Sequence, residues 1–252
     1  MPPSLVQWGS SAGYDIQGGL DPTLHTATFE TNPAEGNLLV LAISVNTLFT
    51  PEITFTKPDG WTQLATWDCQ QNYGEMGWYY RFATSEEGSK VEIYDAGADN
   101  ETYVMFITDW SGVDGDDPFH DGATFTGSQF TDLVNEYTTE PTLSGTREML
   151  YLAWGQWEMA EMTTNMATIG SMFATTLNGH YNNDRFIQAE LVATNIRSAA
   201  ANWSWTGDAV WGNAAIIGFS GSHQGTVWVP PLMRTRRGIF GGVFQGINRG
   251  IL

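Results

Sequence analysis

Glu158 and Glu161 lie three residues apart in the aromatic stretch WGQWEMAE, residues 154–161. Paired carboxylates beside aromatics are the equipment of glycoside hydrolysis, and a retaining pair needs its carboxyl groups about 5–5.5 Å apart. On a strand, residues three apart point to opposite faces, so the pair works only if this segment is helical. A solvated acidic loop is the simpler reading. Asp114, Asp116, Asp117 and Asp121 crowd the loop DGDDPFHD, where carboxylate oxygens suit a hard cation such as Ca²⁺. The spacing lacks the Gly and terminal Glu of an EF-hand loop, so an Asp-rich exposed turn is preferred. GFSGS at 218–222 approaches a nucleophile elbow, but Ser222 stands where the last Gly belongs and no α/β pattern surrounds it. His25, His120, His180 and His223 are scattered without ligand or Ser-His spacing. Cys69 is the only cysteine, which excludes an intrachain disulfide and a structural Cys-type zinc site. No catalytic residue, resident metal or cofactor is therefore expected.

Aromatics offer a different chemistry, stacking on sugar rings. Trp154, Trp157, Trp203, Trp205 and Trp211 are the pool, and Trp203 and Trp205, two apart, share one face of a strand. The competing reading is that they fill a core.

The last thirty residues have chemistry of their own. All 28 Asp+Glu and six of the ten Lys+Arg precede residue 223, leaving a net charge of −22 on residues 1–222 and +4 on residues 223–252. Arg234, Arg236, Arg237 and Arg249 carry that positive charge. Gly238, Gly242, Gly246 and Gly250 recur every four residues, followed in step by Ile239, Val243, Ile247 and Ile251, with Phe240 and Phe244 completing an apolar stripe. Spacing of four is close to helical periodicity, so a helix here would set a ridge of small residues beside an aliphatic one. Alone it folds poorly, because each Gly costs about 1 kcal/mol against Ala in a helix and short isolated helices are marginal. Docking on a partner must supply the order. A neighbouring subunit would bury the stripe and meet the arginines with acidic groups. A membrane would accept only an interfacial pose, and nucleic acid only a weak, salt-sensitive one.

Something must position these groups, and the rest of the chain reads as strands. Aromatics make up 13% of the 252 residues and exclude general disorder. Short alternating or apolar runs at 5–8, 26–29, 37–45, 53–56, 62–67, 77–82, 90–94, 103–110, 149–157, 185–193, 202–205 and 213–219 are separated by Gly, Asp, Asn and Thr clusters. About a dozen strands are too many for one open sheet, so two packed sheets are expected. Val91 and Ile93 alternate with polar neighbours and face a core, whereas 38–42 and 214–217 are nearly all apolar and belong at sheet centres. Residues 158–166 read as a short helix or a long loop. The expected architecture is all-β, an antiparallel two-sheet β-sandwich over 1–222, with Val229 and the two following prolines leading into a Gly/Arg-rich arm at 223–252. The acidic body should repel nucleic acid. No apolar run approaches the roughly 20 residues of a membrane span, and the N-terminus does not read as a signal peptide.

Five segments taken in order carry a resemblance: GNLLVLA at 36–42, DGW at 59–61, WYYRFA at 78–83, ITDWSGVD at 107–114 followed by Pro118, and Trp203 with Trp205 ahead of the apolar run ending at Phe219. The chain resembles the jelly-roll-like β-sandwich domains of tailed-bacteriophage virion proteins, of the minor tail and decoration type, over residues 5–222 and not over the arm. The resemblance implies a structural, non-enzymatic protein without a shared catalytic motif, made in the host cytoplasm and placed on the virion exterior. Its partners would be other virion proteins and copies of itself, with a host-surface glycan as a further possible ligand. A carbohydrate-binding module, or a sandwich-fold glycanase, is the alternative expectation.

Overall fold

The computed structural model describes residues 1–15, 23–47, 54–69, 74–96, 101–119, 126–130, 134–138, 143–159, 168–169, 174–181, 184–199 and 202–222, and no helix occurs among them. The first eight strands are β1 (Ser4–Asp15), β2 (Thr23–Thr28), β3 (Leu38–Thr47), β4 (Thr54–Thr56), β5 (Thr62–Cys69), β6 (Gly74–Phe82), β7 (Lys90–Ala96) and β8 (Glu101–Ser111). β1 pairs with β8, β2 with β7 and β3 with β6, each antiparallel. Such nesting is that of a long hairpin rolled on itself, the jelly roll. It yields a five-stranded sheet in the order β1-β8-β3-β6-β5 facing a three-stranded sheet in the order β2-β7-β4. Only the innermost pair departs from the roll, because β5 joins β6 rather than β4.

The second half of the chain adds a layer that the two-sheet expectation did not include. β9 (Thr126–Phe130), β10 (Val134–Thr138), β11 (Leu143–Met159), β12 (Thr168–Ile169), β13 (Ala174–Tyr181), β14 (Asp184–Ala199) and β15 (Asn202–Ser220) form an antiparallel seven-stranded sheet. Its main path is β10-β15-β11-β14-β13, with β9 and β12 also paired to β15. The segments expected as strands at 202–205 and 213–219 are parts of one long strand, β15. The helical option for 158–166 is corrected at its start: β11 stays extended through Met159, while residues 160–167 lie outside the described ones.

The five-stranded sheet is the middle layer, and its central strand shows why. Leu38, Val40 and Ala42 on one face of β3 pack with Trp78, Phe106, Leu152, Trp154, Ile217 and Phe219, from both larger sheets. Leu39, Leu41, Ile43 and Val45 on the other face pack with Ala27, Phe55, Val91 and Ile93, which belong to the three-stranded sheet. A strand with water on either face would expose half of this run, at roughly 1.5–3 kcal/mol per large aliphatic side chain. β7 is the contrasting case, strictly alternating, with Val91, Ile93 and Asp95 buried and Lys90, Glu92, Tyr94 and Ala96 exposed. β11 is buried on both faces, since Met149, Tyr151 and Ala153 are as fully enclosed as Leu150, Leu152 and Trp154.

Antiparallel order gives the jelly roll two unlike ends. The start of β1 and the end of β8 share one end, with Ser4 opposite Ser111. The strand ends that lead into residues 16–22, 48–53, 70–73 and 97–100 lie at the other. The chain divides into two units, Met1–Ser222 and His223–Leu252, and the second lies outside the described residues. Among the described residues no helix is long and apolar enough to cross a membrane.

Candidate functional site

The end that holds the start of β1 is where the body hands over to the arm, and several bonds fix it. Val113 bridges Gly221. The Gly221 amide donates to Glu148 O at 2.7 Å, and the Ser222 amide to Gly112 O at 2.6 Å. Ser222 Oγ reaches Met1 O at 3.4 Å. Gly112 has φ 76°, and a Cβ there would lie 2.4 Å from Pro2 O, so the N-terminal residues can cross at this point only because the side chain is absent. Gly221 and Ser222 are therefore anchored together to the turn that follows β8, to Glu148 of β11 and to the N-terminus.

Buried polar groups strengthen the same end. Asp109, fully buried on β8, accepts Asn37 Nδ2 at 2.7 Å and Gln7 Nε2 at 2.9 Å. Gln7 Oε1 in turn accepts the Thr31 amide at 3.0 Å, so one carboxylate ties β1, β8 and the connection between β2 and β3. A carboxylate this enclosed is tolerated only when hydrogen bonds replace its water. Nearby, Arg81 on β6 pairs with the buried Glu87 and lies over the Trp61 ring, 5.3 Å from its centroid. Burial lowers the Arg81 pKa from its ordinary value. These are residues of the GNLLVLA, DGW, WYYRFA and ITDWSGVD segments, and their work is structural: they close turns and cap strand ends.

Toward the opposite end, polar residues replace apolar ones between the five- and three-stranded sheets. His25 Nε2 donates to Asp95 Oδ2 at 2.6 Å, both side chains buried. The Tyr103 ring lies 4.4 Å from His25, and its hydroxyl is 3.1 Å from Ser11 Oγ. Glu75 accepts the Phe55 amide at 2.9 Å. Burial first, and the Glu75 charge second, raise the Tyr79 pKa above its ordinary value. With His25 and Asp95 enclosed, the cluster joins β2 to β7 and faces the sheet interior rather than solvent.

The structure places the sequence candidates as follows. Trp154 is corrected to a core residue: it is fully buried, donates Nε1–H to Gln188 Oε1 at 2.8 Å, and packs 6.1 Å from Trp78. It cannot stack on a sugar from that position. Trp157 on β11 and Trp203, Trp205 and Trp211 on β15 are located by backbone only, with Trp157 opposite Arg185 and Trp203 opposite Tyr137. Glu158 stands on β11 opposite Asp184, in the extended backbone that separates residues three apart; Glu161 lies outside the described residues. Asp114 Oδ1 accepts the amides of Asp116 at 3.0 Å and Asp117 at 3.2 Å, which is the chemistry of a turn. Asp121 lies outside the described residues, among which no group of three metal-ligating side chains gathers. Arg234, Arg236, Arg237, Ile239, Phe240, Val243, Phe244, Ile247, Arg249 and Ile251 all lie outside the described residues.

Two exposed features were not singled out from sequence. Val6 and Trp8 on β1 are 53% and 50% exposed, although Trp8 opposes Thr108 on the face that packs against the seven-stranded sheet. On the outer face of the three-stranded sheet, Leu24 and Tyr94 are paired directly and stand 42% and 44% exposed. An alternating strand reads as half-buried, and only the sheet order reveals that β1 is an edge. Asp95 was legible in part, because it continues the period-two row of Val91 and Ile93. No protein-family model, curated protein or solved structure matches the chain.

Proposed function

We propose that the chain is a structural protein of a tailed-phage particle, of the minor tail or decoration type, with a jelly-roll body on the exterior attached through residues 223–252. One observation carries this reading. The chain leaves an acidic body at a point fixed by Gly112, Glu148 and Met1, and continues into thirty residues of net charge +4 with an apolar stripe. A rigid root followed by a sticky, basic segment suits transmission of load to a neighbouring subunit. The jelly-roll order and the turn residues of the resemblance segments support the same reading. Its partners are other virion proteins and copies of the chain. The test compares particles assembled with the full chain and with a chain ending before Arg234. The truncated body stays folded by circular dichroism and is missing from purified particles; equal incorporation of both forms overturns the reading.

The exposed Tyr94 and Leu24 favour a second reading, a carbohydrate-binding face. Thr26, Thr54, Thr56 and Glu92 surround them on the outer face of the sheet, an arrangement in which a ring can stack while hydroxyls bond to sugar. Glycan-array binding that disappears in Tyr94→Ala supports it, and an array unchanged by that substitution removes it.

A further inference from the structure

β1 is the edge of the five-stranded sheet, and among the described residues no strand pairs with its outer side. Open edges are usually blunted by Lys, Pro or inward charge, because unpaired backbone groups recruit another strand. β1 has a single bulge, at Val6 between Leu5 and Gln7. From Ser4 to Tyr14 it has no charged residue, on a body of net charge −22. Trp8, Ser10 and Ala12 share one face of β1 and all three are exposed. An uncharged edge lined by an exposed tryptophan thus interrupts an otherwise acidic body and presents no charge that would repel an incoming strand.

We propose that this edge receives the arm of a second copy of the chain, whose residues 226–229 (TVWV) add to β1 as an antiparallel strand. The inference rests on the reading of the arm as an attachment device and names its receiver. Thr, Val and Trp are strand formers, and the Pro230-Pro231 step that follows ends pairing. Setting Trp228 beside Trp8 brings Thr226 opposite Ser10 and joins two aromatics on one face. The arginines beyond the prolines then run over an acidic neighbour, so charge complementarity adds to the strand pairing. Reach rules out the chain's own arm in this antiparallel register, which leaves the arm of a second copy. Antiparallel addition within one chain would carry Thr226 to Ser10, about 20 Å along the strand from Ser4. The segment from Ser222 to Thr226 spans at most about 14 Å, and Ser222 is held beside Met1.

The experiment uses the full chain with Cys69→Ser in two forms, one with Ser10→Cys and one with Thr226→Cys. The two are mixed and oxidised gently, and linked peptides are identified by mass spectrometry. Each form is first checked for unchanged β-sheet circular dichroism. A mixed disulfide joining residues 10 and 226 is the expected product, reduced about tenfold when Trp8→Ser is added to the receiving chain. A mixed link no more abundant than one made with Thr28→Cys in place of Ser10→Cys overturns the proposal. So does a product dominated by links between two Ser10→Cys chains, which would mean that β1 pairs with itself. As a second measurement, sedimentation of the unmodified chain should show self-association that Trp8→Ser weakens, and equal behaviour of the two counts against the proposal. If the arm is needed for incorporation and no mixed link forms, the receiver is a different virion protein and only this inference falls.

Discussion

Trp154 and Tyr79 are both fully buried aromatics with a polar handle, and the two handles are treated differently. Trp154 donates its indole N–H to Gln188, whereas the Tyr79 hydroxyl has no hydrogen-bond partner among the described residues. Trp154→Phe leaves a buried amide oxygen without its donor, a loss of about 1–3 kcal/mol before any cavity cost. Tyr79→Phe removes no bond and should change stability at neutral pH by less than about 1 kcal/mol. Urea unfolding of both variants checks the contrast. At high pH the order of effects changes. The Tyr79 pKa is raised above 10.0 in the folded chain, so the unfolded chain loses this proton first. That contribution to stability is complete below 10.0 and declines as pH rises toward the folded value. Tyr79→Phe should flatten the decline in urea midpoint as pH rises from about 9.5 to about 11.5. An equal decline in both proteins means that Tyr79 is not its source.

Turns and strands differ in how clearly the sequence announces them. β3 and β11 were legible because runs such as LLVLAISV and MLYLAW leave no face for water, and β7 was legible from strict alternation. β9 (TGSQF), β10 (VNEYT) and β13 (ATTLNGHY) have no continuous apolar face. They are held by backbone pairing to β15 or β14, which local sequence does not encode. The same limit hid the exposed edge position of Trp8. An aromatic in a strand usually fills a core, and the edge position of β1 exists only once residues about a hundred apart have paired. Two turn glycines separate backbone demand from crowding. Gly36 has φ 82° and open space where a Cβ would stand, so Gly36→Ala should cost only the left-handed backbone penalty of about 1–2 kcal/mol. Gly112 adds a clash with the Pro2 carbonyl, and Gly112→Ala should cost roughly 3 kcal/mol or more. Equal denaturation midpoints for the two variants would show that the N-terminal crossing is not tightly held.

At the scale of the whole molecule, charge and topology point the same way. In the proposed assembly a body of −22 and an arm of +4 would attract across copies, and burial of the arm's apolar stripe would add a contribution that salt does not screen. Raising ionic strength should therefore loosen attachment only partly, and salt washes of purified particles followed by quantification of the retained chain check this. Complete release in moderate salt would mean that the arginines alone make the bond. The fixed root at Ser222 also gives the body a direction. Under the proposed attachment, its β1-start end, with Gly36, Asp109, Gly112 and Ser222, is expected to face the particle, and the strand ends leading into 16–22, 48–53, 70–73 and 97–100 to face outward. Electron cryo-microscopy of assembled particles tests this most directly. The expected result is a three-layered β body on the exterior, Ser222 end inward, with density for the arm on a neighbouring subunit. Particles in which the opposite end of the jelly roll makes the contact, or in which the arm touches nothing, would contradict it.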